Sequence, residues 1–142
     1  MTIRLFRENN AGAHLEWYQK EASEAFTFND IVGINTSGRL TRYLDGSSFP
    51  QLGLVQETVA SSSTTNAKLP VLVAGPEAEY LCDVTTGTAA QTDVGEYIDV
   101  DDQNSVDVGT SVNNDFYVTQ FVSTVLVVAK MTRKVVGALI VE

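Results

Sequence analysis

The sequence predicts an all-β fold, a small β-sandwich or β-barrel module, and three observations support this. Val, Ile and Thr make up more than a quarter of the 142 residues, and these β-branched side chains favour strands over helices. Short alternating segments recur along the chain, separated by the Gly, Asn, Asp and Ser clusters that are typical of turns. Strands do not alternate with helical segments, so a parallel α/β sheet is not expected.

About ten short strands are expected after residue 28. They cover residues 30–34, 39–44, 52–59, 70–73, 79–84, 94–100, 105–108, 115–122, 124–130 and 135–141. Segments 115–122 and 124–130 form either one long bent strand or a tight pair. The small polar residues of 60–68 predict an exposed loop within one domain.

The N-terminal part is the least regular. Residues 1–13 are polar without sustained periodicity, so we expect an extended N-terminal arm of low intrinsic order ahead of a single β domain at 14–142. Its apolar residues Ile3, Leu5 and Phe6 fit a first β-strand or a loose end. They also fit anchors of a tail that becomes ordered on a partner. Residues 14–28 mix helical spacing with strand features, and we favour an irregular strand or one short helical turn.

The charge of the chain excludes several classes of function. Nine basic and 18 acidic residues give a net charge of −9, which argues against binding to nucleic acid or to an anionic membrane surface. The longest uncharged apolar run, 121–129, is far shorter than the ~20 residues of a membrane helix. The first ten residues lack the apolar stretch of a secretory signal. A soluble acidic protein is therefore expected.

Positive charge is confined to residues 1–68 and 130–134, whereas residues 69–129 contain ten acids and neither Lys nor Arg. This pattern predicts a negative face in the middle of the fold, with positive charge near the termini and early loops. Either a solvated, solubilising surface or the charge asymmetry of an oriented binding module explains it.

The sequence offers little for metal binding or catalysis. Asp99, Asp101 and Asp102 suggest a calcium loop, but neither reading frame supplies the Gly and Glu that an EF-hand requires, so we expect an acidic turn. The single histidine, His14, lies in an irregular region, and Cys82 on an alternating strand is expected to be a small buried hydrophobe. We therefore expect neither an enzyme nor a cofactor.

Several short sequence motifs occur in an order that is also found in a known family. A-F-x-x-N-D-I-V leads into a G-R-L turn, and G-L-V-x-x-T-V precedes a Ser/Thr loop. P-V-L-V and E-Y-L-C-D-V strands follow, and V-T-Q-F-V closes the domain. Over roughly residues 14–130 this pattern resembles the capsid decoration, or cement, proteins on the heads of tailed bacteriophages.

The resemblance implies a β-rich module that binds the outer surface of an assembled shell, often as a trimer, and braces the major capsid protein. Such a protein is soluble in the host cytoplasm before assembly and then lies on the virion exterior. The segregated charge and the apolar arm suggest where contact is made. The candidate contact residues are Ile3, Arg4, Leu5, Phe6, Arg7, Arg39 and Arg42.

Self-association is expected as well. The apolar residues 125–128 are either core on both faces or a subunit interface, and we favour a homotrimer with these residues at or near the contact.

Two other classes of function stay open. One is another virion component, such as a head-fibre base, a minor capsid subunit or a tail-tube protein. The other is a carbohydrate-binding module or an enzyme on a β scaffold, which would show a pocket with converging acids and aromatic side chains.

Overall fold

The structure, a computed structural model, describes residues 2–9, 12–62, 67–136 and 139–141. It confirms the all-β prediction, because these residues form strands joined by turns and one 3₁₀ helix at Gln91–Asp93. The strands are β1 (Ile3–Arg7), β2 (His14–Gln19), β3 (Ile31–Ile34), β4 (Leu40–Arg42), β5 (Gly53–Val55), β6 (Lys68–Val73), β7 (Glu79–Thr86), β8 (Tyr97–Asp102), β9 (Ser105–Asp107), β10 (Phe116–Ser123), β11 (Leu126–Met131), β12 (Lys134–Val136) and β13 (Leu139–Val141).

Strands β2 to β6 form a first barrel. Their order in the sheet is β2-β6-β5-β3-β4, and every neighbouring pair is antiparallel. A parallel bridge between Lys20 and Leu40 joins the first and last strands of this order. The backbone N–H of Glu21 donates to the Leu40 carbonyl at 2.9 Å beside the bridge. This contact closes the sheet and leaves no edge at that point.

Strands β7 to β11 form a second barrel. Their order is β7-β11-β10-β8-β9, again antiparallel throughout. The ring closes where β9 runs parallel to the end of β7, with Val84 opposite Val106. Strand β1 lies outside this ring, as an extra antiparallel strand on the same edge of β7.

The two barrels have the same topology. If the five strands of each barrel are numbered 1 to 5 in chain order, neighbouring strands in both sheets follow the order 1-5-4-2-3. In each, the third strand closes the ring in parallel against the end of the first. The chain therefore contains one five-strand arrangement twice, and only the second copy carries an extra strand.

Two clusters of buried side chains account for the packing. The interior of the first barrel holds Phe26, Val32 and Val55 with their neighbours. Ile31 and Leu54 precede Val32 and Val55 in their strands, so they point to the opposite face. There they join the core of the second barrel. This second cluster thus contains residues of both barrels and connects them.

The N-terminal arm requires a correction. Residues expected to have low intrinsic order form strand β1, in which Ile3 pairs with Cys82 and Leu5 with Tyr80. Ile3 is fully buried and Leu5 packs against the same core. The alternative that these residues form a first β-strand is confirmed for residues 3–7. Residues 1, 10 and 11 of the expected arm lie outside the described residues.

The structure decides two alternatives that the sequence left open. Residues 14–19 are a strand, as favoured, and not a helical turn. Segments 115–122 and 124–130 are the tight pair, β10 and β11, and not one bent strand. Other strand boundaries differ from expectation. The expected strand at 94–100 begins only at Tyr97, because the 3₁₀ helix at Gln91–Asp93 is followed by a turn in which the Glu96 N–H donates to the Asp93 carbonyl. The expected strand at 52–59 ends at Val55. Part of the expected loop, residues 63–66, and residues 137 and 138 of the last expected strand lie outside the described residues.

The apolar run at 125–128 is mostly core. Val127 and Val128 are fully buried within their own chain, whereas Val125 is exposed in the turn between β10 and β11. This removes the sequence-based reason to place these residues at a subunit contact.

Gly53 lies inside a strand for a steric reason. A Cβ atom at this position would come within 2.2 Å of the Leu72 carbonyl oxygen in the neighbouring strand. Only glycine allows β5 and β6 to approach this closely, which brings Leu54 to the junction between the barrels.

Candidate interaction surface

Strand β1 carries five of the seven predicted contact residues. Arg7 is half-exposed, lies 5.0 Å from the centre of the Phe6 ring and pairs with Glu79 at 3.1 Å. Arg4 pairs with Asp83 at 3.8 Å. Phe6 is 42% exposed, whereas Ile3 is buried. The surface of β1 is therefore formed by Arg4, Phe6 and Arg7, and Ile3 is corrected from a contact candidate to a core residue.

The other two candidates lie on the first barrel. The Arg42 Nε donates to Glu24 Oε1 at 3.3 Å and is partly exposed. Arg39 precedes β4 and lies close enough to Glu21 to lower the pKa of that carboxyl, although hydrogen bonds from Ala22 and Asn35 lower it more. These two arginines thus lie in or next to the five-stranded sheet of the first barrel, whereas the other five candidates lie on β1 in the six-stranded sheet.

The segregation of charge along the sequence does not persist in space. Arg4 and Arg7 lie in the basic part of the sequence, but β1 pairs with β7 and brings them to Asp83 and Glu79. Burial alone would raise the pKa of Glu79, but hydrogen bonds from Thr119, Asn9 and Arg7 outweigh it and lower the pKa. Charged pairs of this kind fix the register of β1 and do not leave a free basic patch.

A buried polar cluster joins the barrels. The Tyr43 hydroxyl donates to Asp115 Oδ1 at 2.6 Å, and the Val100 N–H donates to Asp115 Oδ2 at 2.9 Å. Gln51 Nε2 donates to the Asp115 carbonyl at 3.0 Å, and Arg133 Nη1 donates to the Tyr43 hydroxyl at 2.9 Å. Burial raises the pKa of Asp115 despite the hydrogen bonds that favour its ionised form. Its partners come from both barrels, so the cluster orients one barrel against the other.

Asp30 is a second buried carboxyl, and it predicts a pH dependence of stability. Burial raises its pKa from 3.8 to about 6, against a smaller opposite effect of the hydrogen bond from the Thr27 N–H. In the described part of the chain its Oδ1 has no hydrogen-bond partner.

Because the folded protein holds this proton more tightly than the unfolded chain, the stabilisation is complete below about pH 4 and is lost as the pH rises through about 6. We expect Asp30→Asn to raise the free energy of unfolding at pH 7.5 by on the order of 2 kcal/mol. Asp30→Asn should also make the free energy of unfolding less dependent on pH between pH 4 and 7. Urea titrations across that range measure both effects. The control Glu57→Gln, at an exposed position, should change neither, and an unchanged pH slope in Asp30→Asn would contradict the prediction.

The acidic segment at 99–104 is mostly strand and not the expected acidic turn, because Asp99, Asp101 and Asp102 lie in β8 and only residues 103 and 104 form the turn to β9. Asp99 is buried, and its carboxylate accepts hydrogen bonds from the backbone N–H groups of Val112, Asn113 and Asn114 at 2.9–3.0 Å. Asp101 accepts from two threonine hydroxyls on β7, and Asp102 accepts from the Asn104 N–H at 2.9 Å. These carboxylates point to separate partners. Within the described ranges no group of three His, Cys, Asp or Glu side chains is arranged to hold a metal ion.

The two other residues considered for chemistry lie on different strands, His14 on β2 and Cys82 on β7. Cys82 is fully buried on β7, which confirms its prediction as a core residue, and burial raises the pKa of its thiol. His14 is on the exposed part of β2, and its ring contacts the Gly12 carbonyl at 2.8 Å and Glu16 at 2.6 Å. Both contacts raise the pKa of His14.

The sequence did not single out the surface of β2. Its Trp17 and Leu15 side chains are 60% and 54% exposed. They alternate with Glu16 and Tyr18, which point to the opposite face. Large apolar side chains so exposed on one strand are typical of a binding surface.

A different surface surrounds Tyr97 at the start of β8. Its ring packs edge-on against Tyr117 at 5.3 Å between ring centres. Shallow depressions beside this pair are also lined by Glu77 and Glu96. Glu96 lines one depression with Tyr97, and Glu77, which pairs with Lys130 at 3.0 Å, lines another with Tyr97 and Tyr117.

No protein-family model matches this sequence, and no curated protein is significantly similar to it. In the part of the chain that the structure describes, no helix has the length and apolar character needed to cross a membrane.

Proposed function

We propose that this protein is a capsid decoration protein, which binds the outer surface of an assembled tailed-bacteriophage head and stabilises it. The observation that best supports this is the exposed side of β1. There Phe6 and Arg7 stack on a strand whose backbone is held in the six-stranded sheet. Aromatic and arginine side chains on a rigid element are enriched at protein interfaces.

The proposed mechanism is a shift of equilibrium by binding. A protein that binds the assembled shell and not its free subunits stabilises the shell by the free energy of that binding. Many identical sites make a modest contact collectively strong. The net charge of −9 keeps the protein soluble before assembly in the cytoplasm and suits a basic surface of the major capsid protein.

The resemblance also implied a homotrimer, and its sequence support was the apolar run at 125–128. Because Val127 and Val128 are buried within their own chain, the proposal does not depend on a trimer contact there. It depends on contact with the major capsid protein on the virion exterior.

The test uses heads that lack the protein. Purified protein is added to them, and co-sedimentation and the melting temperature of the heads are measured. We expect binding and a higher melting temperature. Phe6→Asp should weaken binding at least tenfold, because it removes an aromatic contact of about 1.4 kcal/mol or more. Val112→Asp is the matched control, since Val112 is exposed in the loop between β9 and β10 and is not part of β1. Wild-type protein that does not sediment with heads would refute the function. Equal binding by Phe6→Asp would refute the role of β1.

Carbohydrate binding is the second candidate, favoured by the depression in which Tyr97 and Tyr117 lie beside Glu77. Sugar rings stack on aromatic side chains and donate hydroxyl hydrogen bonds to carboxylates. A glycan array with wild type and Tyr97→Ala separates this function from head binding. A tail-tube component would instead form rings or filaments in the absence of heads.

A further inference from the structure

We propose that the outer edge of β2 binds the same edge of a second copy of this chain, which forms an antiparallel dimer centred on Trp17. This inference goes beyond the proposed function and does not depend on it.

The backbone of β2 has an open edge. Trp17 lies opposite Pro70, which has no N–H, and the Pro70 carbonyl accepts from Gln56 on the far side of β6. The pair is therefore a non-hydrogen-bonded one. By the alternation of an antiparallel ladder, the N–H and C=O groups of Leu15, Trp17 and Gln19 point away from β6. Among the strands that the structure describes, β2 pairs with β6 alone.

The second barrel shows what this edge accommodates. Lys20 forms the bridge that closes the first barrel, and Val84 forms the bridge that closes the second, so these two residues are equivalent. The open part of β2, residues 15–19, therefore corresponds to residues 79–83 of β7. In the second barrel β1 occupies that edge as an antiparallel strand, with Arg4 opposite Leu81. One of the two equivalent edges is thus covered within the chain and the other is open. An open edge with apolar side chains is a template for an added strand.

The chemistry of the edge favours another copy of β2 over a basic strand like β1. Strand β1 is held by the acids Asp83 and Glu79 of β7. The equivalent positions of β2 are Gln19 and Leu15, which offer no charge to an arginine. The exposed side chains there, Leu15 and Trp17, instead suit a strand that carries apolar side chains on the same face, and β2 itself carries Leu15 and Trp17 on that face.

A two-fold axis through Trp17 gives a consistent register. The groups that point outward belong to alternate residues, so Trp17 opposite Trp17 of the second copy forms a hydrogen-bonded pair. Leu15 then faces Gln19, and Glu16 faces Tyr18, so no like charges are opposed. Directly opposed aromatic side chains stabilise an antiparallel pair by up to about 1 kcal/mol. The same patch serves both subunits, as a closed two-fold interface requires.

The experiment measures the oligomeric state of the purified chain by sedimentation velocity between 1 and roughly 100 μM, a range suited to an interface of this size. We expect a monomer–dimer equilibrium in the wild type. Trp17→Lys should weaken the dimer at least tenfold without lowering the melting temperature of the monomer. Phe28→Lys is the matched control, because Phe28 is also half-exposed on the first barrel but lies outside β2.

Cross-linking tests the register independently of affinity. In a hydrogen-bonded antiparallel pair the Cα atoms are about 5.5 Å apart, within the range of a disulfide. Trp17→Cys should form a covalent dimer on mild oxidation, and Leu15→Cys should not, because its nearest counterpart is Gln19. Cys82 is buried and does not compete.

A wild type that stays monomeric, a trimer, a dimer unaffected by Trp17→Lys, or cross-linking through residue 15 and not 17 would each overturn the proposal. None of these outcomes depends on the binding of heads, so failure here is separate from failure of the proposed function.

Discussion

Deletion of residues 2–7 is expected to destabilise the whole protein and not only to remove a contact surface. These residues form β1, whose Ile3 side chain is fully buried in the core that the barrels share. Loss of a buried isoleucine side chain costs about 2–5 kcal/mol. The deletion also uncovers the edge of β7 and leaves the largely buried Glu79 without Arg7. A total cost of on the order of 5 kcal/mol is comparable to the entire stability of a marginal domain.

Chemical denaturation of the deletion variant and of two point variants measures this effect. Ile3→Ala should lose about 3 kcal/mol and roughly 10 °C in melting temperature. The control Phe6→Ala, at a half-exposed position of the same strand, should lose less than about 1 kcal/mol. A deletion variant as stable as the wild type would show that β1 is dispensable for the fold. Because deletion confounds folding with binding, a role of β1 on the head is better tested with Phe6→Asp.

Asp115→Ala is expected to have the second largest effect. The carboxylate accepts hydrogen bonds from the Tyr43 hydroxyl of the first barrel and the Val100 N–H of the second. Its removal leaves two buried donors unpaired and opens a cavity between the barrels. Each unpaired buried group costs about 1–3 kcal/mol. The expected loss is therefore on the order of 4 kcal/mol at pH 7.

A double-mutant cycle with Tyr43→Phe distinguishes a cooperative cluster from separate contacts. The two substitutions should be coupled by about 1–3 kcal/mol, because each removes the partner of the other. Asp115→Asn should cost less than Asp115→Ala at high pH. It keeps an acceptor oxygen, and burial raises the pKa of Asp115, which makes the ionised form costly. Additive losses in the cycle would mean that Tyr43 and Asp115 act independently.

Local patterns predicted the strands but not their partners. Alternation and turn residues identified β6, β7 and β11 closely, because a half-buried strand has a period of two residues. The same alternation does not state which strand lies beside which. The two equivalent barrels, with little visible repeat in their sequences, were therefore not expected. The burial of Cys82 was predicted because both its neighbours on the same face are apolar or aromatic.

The interaction surface was predicted in part. Phe6 and Arg7 are exposed as expected, but Ile3 is buried in the core. The sequence did not predict this burial, because Cys82, which lies opposite Ile3 in the sheet, is distant in sequence. Pairing of β1 with β7 neutralised a charge pattern that looked segregated along the chain. Trp17 was not among the predicted contact residues. Its exposure on an open strand edge depends on the ring closure at Lys20, which no local pattern signals.

The position of β1 has a consequence for biosynthesis. During synthesis β1 is made before its partner β7, so it can pair only after the five strands of the first barrel and Cys82 have been made. Until then an apolar segment that contains Ile3, Leu5 and Phe6 stays available to other chains. Once β7 is made, Asp83 and Glu79 pair with Arg4 and Arg7 and hold β1 in its own chain.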